Sequence, residues 1–136
     1  MPLTLSLLKS RLVVLRFAPS TTPPTWVFQQ AFYNVTRTAE ELSIVCDQDA
    51  YSSTKETMKG DGEVAKEEAD WACLKVEGPL DFGLTGVLSS LAQPLAVAKI
   101  SIFAMSTFDT DYILVKSSKL SESIGVLRKE GFTVNE

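Results

Sequence analysis

The clearest alternation of apolar and polar positions lies in the second half of the chain. "WACLKVE", from Trp71, is a short apolar run suited to a buried strand, and Gly78 and Pro79 punctuate its end. From Gly83 to about Ala98, Leu84, Val87, Leu88, Leu91, Leu95 and Ala98 recur at spacings of three and four, which predicts one apolar helical face. Asp81 reads as the N-cap of that helix. Pro94 has no amide donor and should bend the helix or leave its last turn irregular. "ISIFAMS" and "DYILVK" then predict a hairpin of β-branched, aromatic and apolar residues. A last helix follows from about Lys119, with Ser118 as its cap and Leu120, Ile124 and Leu127 on one face. Gly131 is its natural stop and "FTVN" the closing strand. The order β-α-β-β-α-β predicts a four-stranded antiparallel sheet with two helices on one face.

The first half echoes this pattern. "RLVVLRFAP" matches "WACLKVEGP" as a strand running into proline, and "NVTRTAEELSIVCD" matches "AMSTFDTDYILVK" as strand, Thr-led acidic turn and strand. The echo implies an internal duplication. The fold expected is therefore α+β, two ferredoxin-like units with antiparallel four-stranded sheets, the first unit abbreviated. Residues 1–70 form the N-terminal unit, including a charged linker at 47–70, and residues 71–136 form the C-terminal unit. The first copy has room only for a short helix around "PTWVFQQA" and lacks a final strand, an edge that "LTLSLL" is expected to take. The linker, with "KGDGE" at its middle, reads as a mobile loop leading into a short helix with "EVAKEEAD" as its solvated face.

Charge and composition narrow the function. Thirteen basic and seventeen acidic residues leave a net charge of -4 with no basic run, so no nucleic-acid partner is expected. No stretch approaches the ~20 apolar residues of a membrane span. Lys9, Arg11 and Arg16 interrupt the apolar N-terminus, which therefore does not read as a secretory leader. Cys46 and Cys73 lie in apolar runs and read as buried, reduced thiols of a cytoplasmic protein. The chain has no histidine. That removes Ser-His-Asp and Cys-His nucleophile systems and His-ligated zinc, so the expectation is a non-enzyme without cofactor or metal. "DQDAYSSTKETM" begins like a calcium loop, but Ser52 stands where the turn glycine belongs and Met58 at the twelfth position. Asn34-Val35-Thr36 matches a glycosylation acceptor by chance, inside a predicted strand.

"SIFAMSTFDTDYILVK", the Gly-Pro-Leu-Asp segment before the first long helix, "TWVF", "NVTRTAEELSIV" and "W-x-C-L-K-V-E-G-P-L" together resemble the ACT domain, an amino-acid-binding regulatory module. More narrowly they resemble the small tandem-ACT proteins related to the cytosolic arginine sensors and the regulatory region of aspartate kinases. The resemblance spans nearly the whole chain except the linker. It implies a non-catalytic sensor that holds a small amino acid at an ACT–ACT interface, with a homodimer and a regulated protein as partners. The alternative is a ligand-free interaction module that dimerises or docks on an enzyme.

Carried over by the resemblance, Ser101 and Ile102 match strand positions whose backbone meets the ligand. Thr107, Phe108 and Asp111 match the hairpin positions that close and charge the pocket. The loop Asp81, Phe82, Gly83, Leu84 and Gly86 matches the segment lying over it, and the start of the first helix is expected beside the first residues of the second strand. Leu84 departs from the arginine sensors, which carry glutamate in this loop, and so leaves a smaller or more apolar amino acid, or no ligand at all. Bland readings stand beside these. Asp109 shapes the turn, Asp81 caps the helix, Ser101 is a half-exposed strand residue, and Gly83 and Gly86 serve either close approach or turn geometry.

Overall fold

A computed structural model describes residues 3–55, 63–81 and 84–136. In chain order these form β1 (Thr4–Leu7), β2 (Leu12–Phe17), a 3₁₀ turn (Thr25–Gln29), β3 (Asn34–Arg37), β4 (Leu42–Asp47), α1 (Gln48–Thr54) and β5 (Lys66–Val76). There follow α2 (Val87–Val97), β6 (Phe103–Ser106), β7 (Asp111–Lys116), a 3₁₀ turn (Ser117–Lys119), α3 (Leu120–Lys129) and β8 (Thr133–Asn135). Two compact units emerge: one is Ser10–Asp70, the other combines Met1–Lys9 with Trp71–Glu136.

In the Ser10–Asp70 unit the strand order is β3-β4-β2-β5, with β4 antiparallel to both β2 and β3. Val13, Leu15 and Phe17 of β2 and Leu42, Ile44 and Cys46 of β4 alternate onto one face, the period of two that a pleated strand imposes. The short helix of this copy is the 3₁₀ turn, which buries Val27. Asp47 caps α1, its carboxylate accepting from the Ala50 amide at 3.0 Å. The final strand expected to be absent is present: it is the first part of β5, Lys66 to Asp70, and the Ala65 amide donates to the Arg16 carbonyl at 2.8 Å. "EVAKEEAD" is therefore not a helix face. Lys66, Glu67, Glu68 and Asp70 are exposed, and charge on an outer strand masks the apolar pattern that marks an inner one. Most of "KGDGE" lies outside the described residues.

Among the described residues the other unit holds five strands, ordered β8-β1-β5-β7-β6, where four were expected. β1 enters between β5 and β8, antiparallel to the first (Leu5↔Val76, Leu7↔Leu74) and parallel to the second (Leu5↔Val134). "LTLSLL" thus completes this sheet and not the edge of the first copy. Leu5 is fully buried there, with Leu3 and Leu7 packed beside the same core. Leu74, Val76, Ile113 and Val115 meet Leu91 and Leu95 of α2 and Ile124 and Leu127 of α3.

Two cap expectations are corrected. α2 starts at Val87, not near Gly83, because Gly86 adopts φ 76°, a left-handed conformation that no helix continues through. Asp81 therefore does not cap it. Ser118 lies inside the 3₁₀ turn and makes no cap bond to α3. α2 runs through Pro94 to Val97, and Gly131 at φ 98° follows the end of α3. Both cysteines are buried and free. Among the described residues no helix is long and apolar enough to cross a membrane.

Candidate functional site

The β6–β7 hairpin is built by its own threonines. The Thr107 amide donates to the Thr110 carbonyl at 2.8 Å, and the Thr107 hydroxyl accepts from the Thr110 amide at 3.3 Å. This local side-chain bonding is the reason Thr opens such turns. The loop also accounts for the role of Asp109, which acts through its backbone: its carbonyl accepts from the Leu80 amide at 2.7 Å. That bond ties the hairpin to the loop between β5 and α2. A second tie is the buried Thr110 hydroxyl, which donates to the Val76 carbonyl at 2.6 Å. Gly78 permits the approach, since a Cβ there would stand 3.0 Å from the Leu80 nitrogen and 3.1 Å from the Asp109 oxygen.

Between the tied loop and the hairpin lies a cleft of about 190 Å³. Leu80, Asp81, Leu84 and Val87 line one side and residues 106–111 the other. Ser106 and Asp111 are direct cross-strand partners, so both side chains project from the same face of the sheet. The Ser106 hydroxyl donates to an Asp111 carboxylate oxygen at 2.6 Å and fixes its orientation. Three carboxylates, Asp81, Asp109 and Asp111, line the cleft, and among the described residues no lysine or arginine does. Such a site favours a cation, and Leu80, Leu84, Val87 and Phe108 offer it an apolar side. Its volume is below the ~300–1,000 Å³ of sites for drug-sized ligands, which suits a small molecule.

Of the residues expected at the site, Asp81, Leu84, Thr107, Phe108 and Asp111 come together here. Phe108 stands at the tip, 79% exposed. Gly86 sits at the start of α2, where its carbonyl accepts from the Ser90 amide, and does not line the cleft. Phe82 and Gly83 lie outside the described residues. Ser101 and Ile102 are elsewhere: β6 is antiparallel to β7, which is antiparallel to β5, so β6 runs parallel to β5. Its end, not its start, is therefore beside the β5–α2 loop. Ser101 is exposed at the far end and Ile102 packs against the core. Sequence reasoning missed Ser106, Thr110 and Gly78. The only signal for the last was a glycine at the end of an apolar run.

A wider groove of about 540 Å³ runs along α2 and α3, lined by Ser90, Pro94, Val97, Val126 and Lys129 among others. Its described walls carry Lys129 and Glu130 in place of the three carboxylates of the smaller cleft, so size does not make it the site.

A family model described as an ACT domain matches residues 66–129. A second, described as an N-terminal domain, matches residues 12–54. The chain is 32% identical over 105 residues to the cytosolic arginine sensor for mTORC1 subunit 1 of Bos taurus, covering 73% of this chain and 30% of that protein. The human protein of the same name is 31% identical with the same coverage. The chain thus spans about a third of the length of these curated relatives. A crystallographically determined protein of Agobacterium tumefaciens superposes with a TM-score of 0.83 at 32% identity, covering 98% of this chain and 92% of that one. The ligand-free regulatory subunit of aspartate kinase from Thermus thermophilus superposes at 0.62 with 13% identity, covering 93% and 96%, a likeness of fold alone.

Proposed function

Because this chain belongs to the ACT-domain family, we propose that it is a non-catalytic regulatory protein that binds a small amino acid in the Asp111 cleft, at an interface with a second ACT unit. The observation that carries the reading is the oriented carboxylate of Asp111, held by Ser106 at 2.6 Å in a cleft whose described walls carry no basic residue. An amino-acid ammonium would be held by that carboxylate. The first amides of α2, which have no intrahelical partner and no side-chain cap, would donate to the ligand's carboxylate, and Leu80, Leu84 and Val87 would face its side chain. Leu84 in place of an acidic residue favours a small or apolar side chain over a long cationic one. Named relatives are arginine sensors, which makes regulation of a partner protein the corresponding role for this chain. Binding would regulate by favouring one arrangement of the interface over another.

The test is a thermal-shift screen of the twenty amino acids at millimolar concentration, followed by Asp111→Asn. One or a few amino acids should raise the melting temperature. The variant should keep the fold and weaken the binding by about 10- to 100-fold, the loss of a charge-assisted hydrogen bond. No shift with any amino acid would leave a ligand-free interaction module as the better account.

A further inference from the structure

The two units carry the same hairpin. In the Ser10–Asp70 unit the Thr38 amide donates to the Glu41 carbonyl at 2.9 Å, and the Glu41 amide donates back to the Thr38 hydroxyl at 3.2 Å. These are the bonds made by Thr107 and Thr110 at 2.8 and 3.3 Å. The residues before and after each turn therefore correspond. Arg37 stands opposite Leu42 as Ser106 stands opposite Asp111. Where one unit has a short hydroxyl beside a carboxylate, the other has a long cation beside a leucine that is fully buried.

Arg37 reaches across to the loop that follows β2. One guanidinium nitrogen donates to the Pro19 carbonyl and the other to the Thr21 carbonyl, the latter at 2.7 Å. The loop after β2 corresponds in chain order to the loop after β5, which forms the wall of the open cleft. We infer that Arg37 is a built-in occupant: its guanidinium takes the place between hairpin and loop that the other unit leaves to a ligand. The chain then offers one ligand cleft and not two, a count that rests on the reading of the Asp111 cleft as a ligand site. The bridge made by Arg37, itself an exposed residue, is testable without that reading. Removing the guanidinium should expose a latent site for a planar cation that can donate to two carbonyls at once.

The experiment is chemical rescue. Arg37→Ala and Arg37→Met, the second keeping much of the apolar stem, should each melt below the unchanged protein. Millimolar methylguanidinium should recover about 3 °C in a saturable way. Methylammonium and potassium chloride at equal ionic strength should not. The unchanged protein should not respond to methylguanidinium, and the variants' response should persist in an Asp111→Asn background. Absence of rescue in both variants, an equal response of the unchanged protein, or loss of rescue with Asp111→Asn would overturn the assignment. An amino-acid screen that fails while rescue succeeds would remove only the ligand reading of the Asp111 cleft.

Discussion

At the scale of single residues, the buried thiols make a prediction whose sign follows from their environment. Burial pushes Cys46 and Cys73 from 9.0 up to about 12, with the Asp47 carboxylate adding to the rise at Cys46. Burial first, then the hydrogen bond to Glu67, pushes the Tyr51 phenol from 10.0 up to about 12. Each group stays protonated in the folded chain while its unfolded counterpart ionises. The stability they support is therefore intact below about pH 9 and falls as pH rises from 9 towards 12, by at most about 1.4 kcal/mol per pH unit for each thiol. Urea unfolding at about pH 8 and about pH 10.5 should show the loss, and Cys46→Ala with Cys73→Ala should flatten most of it. A slope unchanged by the two substitutions would mean the thiols are not shielded as their burial implies. Native protein should also resist thiol reagents that modify the unfolded chain at once.

At the scale of elements, β1 carries the sharpest consequence, because it lies between Val76 of β5 and Val134 of β8. Leu5→Ala should cost about 2–5 kcal/mol, the usual range for a fully buried leucine. Amide exchange should locate the loss. The amides of Leu74–Val76 and Thr133–Asn135 should lose protection before those of β2 and β4, and the opposite order would refute the placement. That placement was not legible in the sequence. A period of two reports that one face of "LTLSLL" is buried, but not which sheet receives it. The first part of β5 was hidden by its charges, and the start of α2 by a glycine whose left-handed conformation only the folded loop reveals. What could be read were features whose cause is local: the apolar stripe of α3, the paired hairpins, and the Thr-led turns that repeat in both units. The site divides in the same way. Asp111, Thr107 and Phe108 were legible from the hairpin motif. Gly78 and Thr110 were not, because they act on residues 31 and 34 positions away in the chain, Asp109 and Val76. Ser101 and Ile102 were carried over by the resemblance alone, and because β6 runs parallel to β5 its start lies at the end of the sheet away from the cleft.

At the scale of the whole molecule, the chain's length against its relatives sets the remaining question. Under the proposed reading a second ACT unit must stand against the Asp111 cleft, and a second copy of this chain is one source of it. The edge at which it would join is β6, which among the described residues pairs with β7 alone. Phe103, Ala104, Met105 and Ser106 include no lysine, no proline and no other charge, the devices that protect an outer strand from pairing. Ala104 and Ser106 are exposed. Two β6 strands meeting about a two-fold axis would place the Ser106 and Asp111 hairpins beside the joint, where occupancy of the cleft and association would be coupled. Light scattering should then give twice the 14.9 kDa of one chain, and the melting temperature should rise with protein concentration. Ala104→Lys sets like charges against each other across the axis and should give a folded monomer with weakened amino-acid response. If that variant stays dimeric, β6 is not the joint; if it becomes monomeric and binds as before, the cleft is complete within one chain.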